Sequence, residues 1–147
     1  MIVSQQYVLR SRTPLVAVPV GQEAVQAGFP SPSQDYYDGE IDLNELLIHD
    51  RTATFLLRVA GHSMVGAGIH DGDHVILDRS LDPQDGDVVV AVLDGELTLK
   101  RLQILPGGVV LRAENPRYPD IRVAELSELR LLGVVTECLR HLRRRAA

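Results

Sequence analysis

Turn-forming residues punctuate the middle of this chain at short, regular intervals: Asp71-Gly72-Asp73, Asp82-Pro83-Gln84-Asp85-Gly86, Asp94-Gly95 and Gly107-Gly108. The segments between them, His74 to Leu77, Val88 to Leu93, Leu97 to Ile104 and Val109 to Arg112, are short and mostly β-branched or leucine. Apolar runs of this kind, broken by turn signals every eight to twelve residues or so, fold as β-hairpins. Asp94-Gly95 is a strong two-residue hairpin signal, and Gly107-Gly108 makes a second. Thr52 to Val59, Ile121 to Val123 and Leu131 to Leu139 extend the same pattern. The chain is therefore expected to be mainly β. In Leu97 to Ile104 the apolar positions do not keep one clean alternation, which predicts a bulge near Lys100 or Arg101.

Residues 1 to about 40 read differently. Prolines at 14, 19, 30 and 32, glycines at 21, 28 and 39, and Ser31-Pro32-Ser33-Gln34-Asp35 interrupt every periodic pattern. Only Leu15 to Val20 is expected to add a short strand, confined to an edge by Pro19. Asp42-Leu43-Asn44-Glu45 then has the arrangement of an N-cap acid with Glu three residues later, and predicts one short helix. The expected organisation is a flexible arm over residues 1–40 and a β-rich domain over 41–147. The 147 residues, 45% of them hydrophobic, suffice for one such core.

A net charge of -5 is the wrong sign for holding nucleic acid through phosphate contacts, so no direct nucleic-acid binding is expected. The basic cluster Arg140 to Arg145 reads as a solvated tail. Cys138 is the only cysteine and reads as a small core residue; with no intrachain disulfide possible, a reduced cytoplasmic setting is expected. No apolar run approaches the roughly 20 residues that span a bilayer, and the N-terminus lacks a signal-peptide pattern.

Ser63 stands between the Thr52 to Val59 run and a glycine-rich segment, Gly66 to Gly72, where the backbone can turn sharply and present a hydroxyl. That makes it a candidate nucleophile, which needs a base. His62 is adjacent in an extended run, so its side chain points to the opposite face. His70 and His74, four apart around Asp71 and Asp73, would suit a metal if helical, but Gly72 argues for a turn and no metal is expected. One count points elsewhere: of fifteen Lys and Arg residues, only Lys100 is lysine. Arginine keeps its proton in proteins, whereas a desolvated lysine can lose it and act as a base. Lys100 lies between Leu99 and Leu102, on a strand that the Asp94-Gly95 hairpin folds back. A Ser-Lys dyad of Ser63 and Lys100 is the expected arrangement.

The segments Gly61-His62-Ser63-Met64, Gly68-Ile69-His70-Asp71-Gly72-Asp73 and Asp94-Gly95-Glu96-Leu97-Thr98-Leu99-Lys100-Arg101-Leu102 resemble the catalytic domain of the LexA and UmuD family of self-cleaving Ser-Lys proteases. Ala27-Gly28-Phe29-Pro30-Ser31-Pro32, Gln34-Asp35-Tyr36 and Ile41-Asp42-Leu43-Asn44 resemble the UmuD branch, and the likeness runs from about residue 27 to 139. The resemblance implies a LexA/signal-peptidase-like complex of several short coiled β-sheets and hairpins. It also implies self-cleavage at the Ala27-Gly28 bond, with the backbone amides of His62 and Ser63 stabilising the oxyanion, and no cofactor. As partners it implies a second copy in a homodimer, a RecA filament on single-stranded DNA as activator, and a UmuC-like translesion polymerase subunit in the SOS response to DNA damage. Ala27 stands where the branch often has cysteine, and His62 where an acid is common. Two other readings fit the sequence: a polymerase accessory module without proteolytic activity, and the C-terminal domain of a LexA-type or phage repressor lacking its DNA-binding part.

Overall fold

The structure is a computed structural model that describes residues 2–8, 16–22, 24–28, 37–124 and 128–143. Phe29 to Tyr36, part of the expected arm, and the end of the basic C-terminal cluster lie outside the described residues. The contacts separate two units, Met1–Leu9 with Asp50–Ala147, and Arg10–His49. The expected boundary near residue 40 falls inside the smaller unit.

The larger unit is one eight-stranded sheet. Its strands are β1 (Ile2–Val8), β4 (Thr54–Ala60), β5 (His74–Asp78), β6 (Val88–Leu93), β7 (Glu96–Leu105), β8 (Gly108–Arg112), β9 (Ile121–Arg122) and β10 (Leu129–Leu139). They lie in the order β1-β4-β5-β10-β6-β7-β8-β9, and every pairing is antiparallel. The fold is mainly β, as the turn spacing predicts. The β6–β7 and β7–β8 hairpins close at Asp94-Gly95 and next to Gly107. Asp94 takes a positive φ of 49°, which a two-residue hairpin turn requires. Residues 2–8, where the flexible arm is expected to form no strand, are an antiparallel edge strand on β4, from Ile2 opposite Ala60 to Val8 opposite Phe55.

The smaller unit holds β2 (Ala17–Gly21), paired antiparallel with β3 (Tyr37–Asp42), and helix α1 (Leu43–Leu47). Pro19 lies opposite Glu40 in this two-stranded ribbon, where each strand has a free edge for a residue without an N–H. Asp42 caps the helix, its Oδ1 accepting from Asn44 N at 3.0 Å.

The irregular alternation in β7 is not a bulge. Its pairing runs unbroken from Val88↔Arg101 to Leu93↔Glu96, and on its other side from Arg101↔Arg112 to Leu105↔Gly108. The pattern reflects burial of both faces. Val90 and Leu99 join a core with Leu57, Val59, Met64, Ile69, Val75 and Leu77, while Val89, Ala91, Leu102 and Leu111 form a second cluster. A strand covered on both sides has no polar face to alternate with. Register shifts fall instead in β10, between Leu131 and Gly133 and between Val135 and Glu137, in β1 between Val3 and Gln5, and in β2 between Pro19 and Gly21. A Cβ on Gly133 would stand 2.7 Å from the Asp78 carbonyl oxygen, so β10 passes the end of β5 too closely for a side chain.

Cys138 is exposed rather than in the core. It sits where β10 has run past β6 and keeps only β5 as a neighbour. Partial burial of its sulfur and the nearby Asp73 carboxylate push the thiol up to about 11. Among the described residues no helix is long and apolar enough to cross a membrane.

Candidate active site

Strand β4 delivers the serine. It ends at Ala60, and the next residue is Gly61, whose φ of 95° lies in the left-handed region that a side chain would disfavour. The chain then turns through His62 and Ser63 into a single 3-10 turn, Val65–Ala67. Met64, fully buried, anchors this turn in the core, and its carbonyl accepts from Ala67 N at 3.0 Å and Ile69 N at 3.2 Å. Gly61 N donates to Asp71 Oδ1 at 2.7 Å, tying the start of the segment to its end.

A second clamp closes the same segment. The Asp73 carboxylate accepts from Arg140 Nε at 2.8 Å and Nη2 at 2.7 Å, and Nη2 also donates to Gly68 O at 2.7 Å. This two-pronged contact joins the glycine-rich segment to the end of β10. The Arg140 guanidinium holds the Asp73 carboxyl down at about 2, against an ordinary 3.8.

Lys100 comes from β7, 37 residues beyond Ser63. Its Nζ lies 3.0 Å from Ser63 Oγ, 3.1 Å from Thr98 Oγ1 and 3.2 Å from Leu99 O. Ser63 is 0% exposed and Lys100 5% exposed, so both groups are removed from bulk water. Burial pushes the Lys100 amine below the ordinary lysine value of 10.5. Among the described residues no carboxylate forms an ion pair with it. The three neighbours fit a neutral amine: two N–H groups can donate to Leu99 O and Thr98 Oγ1, leaving the lone pair to accept the Ser63 hydroxyl proton.

The structure thus brings together the two residues that the sequence singles out. His62 is exposed, with its backbone at the turn beside Ser63. Ala27 and Gly28 are exposed at a bend between β2 and β3, and nothing lies within 4 Å of where a Cβ on Gly28 would sit. His70 is exposed, and the His74 ring meets that of His141 edge-on at 6.1 Å between centroids.

Two features escape the sequence reading. Thr98 touches the amine because residues i and i+2 share one strand face, a signal available in the Thr98-Leu99-Lys100 spacing. The other is the Ala113–Arg117 loop after β8, which grips the serine segment by its backbone. Glu114 N donates to Ser63 O at 2.7 Å, Gly66 N donates to Glu114 O at 2.7 Å, and Asn115 Nδ2 donates to His62 O at 2.8 Å. A Cβ on Gly66 would meet Glu114 O at 2.6 Å, so only glycine admits the loop this closely. Arg101, next to Lys100 on β7, fixes the loop in turn: its Nε donates to Glu114 Oε1 and its Nη1 to Gly86 O.

The chain is similar to several known proteins. Protein SamA of Salmonella typhimurium is 40% identical over 136 residues, covering 92% of this chain and 91% of the relative. Protein MucA of Escherichia coli is 38% identical over 124 residues, 84% of each chain. The LexA repressor of Verrucomicrobium spinosum is 42% identical over 118 residues, 79% of this chain but 57% of the repressor. Residues 19–136 match the family described as Peptidase S24-like, and the chain belongs to that family.

Proposed function

We propose that this peptidase-family protein is a self-cleaving serine protease in which Lys100 serves as general base to Ser63 and the Ala27-Gly28 bond is the substrate. The observation that carries the reading is the 3.0 Å contact between a buried lysine amine and a buried serine hydroxyl. Neutral Lys100 takes the Ser63 proton as Oγ attacks the Ala27 carbonyl. The developing oxyanion is held by the backbone N–H groups of His62 and Ser63. The protonated amine then gives its proton to the Gly28 nitrogen as the C–N bond breaks, leaving Ala27 as an acyl ester on Ser63. Water, deprotonated by Lys100, hydrolyses that ester.

Two small, exposed residues at the scissile bond support this assignment, since neither side chain obstructs close approach of the backbone to a buried hydroxyl. The resemblance to the UmuD branch extends the proposal to the cellular setting: a homodimer, activated by a RecA filament on single-stranded DNA, whose trimmed product works with a translesion polymerase subunit.

Intact-mass measurement during incubation at alkaline pH tests the chemistry directly. The parent chain yields fragments that part between Ala27 and Gly28, whereas Ser63→Ala and Lys100→Ala remain full-length. Continued cleavage at that bond in either variant contradicts the dyad.

A further inference from the structure

We infer that Asn115 is a positioning residue for the reaction: by holding the His62 carbonyl it aims the Ser63 backbone N–H at the oxyanion. The inference rests on the proposed acyl-transfer chemistry and adds to it a residue outside the dyad.

In a planar trans peptide the C=O and the following N–H point in opposite directions. Fixing the carbonyl oxygen of His62 therefore fixes the direction of the amide hydrogen of Ser63. Asn115 Nδ2 donates to that oxygen at 2.8 Å, while Asn115 Oδ1 accepts from Arg117 N at 3.0 Å. The two contacts need the amide in opposite senses, a donor toward residue 62 and an acceptor toward residue 117, so they set one orientation of the side chain. Val65 N, at 3.4 Å, is a longer second donor to the same carbonyl.

The flanking contacts leave the peptide little freedom. Glu114 N holds the Ser63 carbonyl at 2.7 Å, so the carbonyls on both sides of the Ser63 N–Cα–C unit are bound by consecutive residues of one loop. Arg101 braces Glu114 from β7, the strand that carries Lys100. One bracket therefore couples the position of the base to the direction of the oxyanion donor. In the fold Glu114 and Asn115 form a strap across the nucleophile segment. An oxyanion donor acts through preorganised direction, so an amide that is present but free to rotate loses much of its effect.

The test follows self-cleavage by intact mass across a pH series, with circular dichroism and thermal melting on the same samples. Asn115→Ala lowers the plateau rate by about ten- to hundredfold, less than the roughly hundred- to thousandfold that loss of one oxyanion donor costs because the amide is misdirected and not removed, and leaves the pH midpoint unmoved because every contact of the Lys100 amine is intact. Asn115→Asp, nearly the same shape, keeps the acceptor for Arg117 N but loses the donor to His62, and is slowed similarly. Asp120→Ala provides the control. It removes the Asp120 Oδ1 contact to Ala113 N at 3.2 Å, loosening the same loop while leaving Asn115 bonded, and its rate stays within twofold of the parent. Parent-like rates in the folded Asn115 variants, or equal slowing by Asp120→Ala, overturn the inference while the dyad stands. A parent chain that does not cleave itself overturns the dyad and this inference together.

Discussion

Lys100 carries its charge problem in its surroundings. A lysine in water keeps its proton near neutrality, but here the amine is buried against Ser63, Thr98 and a backbone carbonyl, and among the described residues no carboxylate offsets the charge. Desolvation of the ammonium then favours the neutral base. Asp73 shows the opposite case, a buried carboxylate kept ionised by the two-pronged Arg140 contact. Its folded pKa of about 2 lies below the usual 3.8. The unfolded chain therefore holds more protons between those values, and the stability the pair supplies is complete above 3.8 and lost as pH falls through about 2. Asp73→Asn should lower the unfolding free energy at pH 7 by about 1–2 kcal/mol, a range reduced because Arg140 is partly exposed. It should also flatten the acid limb of a urea-denaturation series. An unchanged acid limb would show that the clamp contributes nothing to stability.

At the scale of elements, the hairpins were legible because their turns are chemical: Asp94-Gly95 and Gly107-Gly108 interrupt apolar runs, and strands β6, β7 and β8 follow within a residue of where those signals put them. The meeting of Lys100 with Ser63 was legible for a different reason, since a single lysine in an arginine-rich chain stands out as a basic residue able to give up its proton. What the sequence concealed is pairing by residues with no strand signature of their own. Strand β1 has Ser4-Gln5-Gln6 at its centre and β3 contains Gly39, and both are strands through their partners β4 and β2. The predicted bulge failed because burial on both faces of β7 imitates a slipped alternation. The loop that grips Ser63 was hidden because its contacts are largely to backbone atoms, which no residue pattern specifies. Strand β1 also covers what would otherwise be an open edge of β4. Deleting residues 2–8 should lower the melting temperature and promote self-association through the unpaired β4 edge, seen as earlier elution on size exclusion. A monodisperse variant with parent-like melting would show that β1 adds no such protection.

For the molecule as a whole, the proposed reaction makes one chain both enzyme and substrate. A segment carried on the chain that bears the nucleophile, or on the second copy of the proposed dimer, is presented at an effective concentration set by the tether. A base that must first lose its proton restrains the reaction, and any partner that favours the deprotonated, engaged state accelerates it. The central claim is that Lys100 must lose its proton before Ser63 can attack. The most direct measurement is the self-cleavage rate by intact mass from pH 6 to 11 on the parent chain. The rate should rise tenfold per pH unit while the amine is mostly protonated, then level off at a midpoint below 10.5. A rate that is flat across this range would contradict the account.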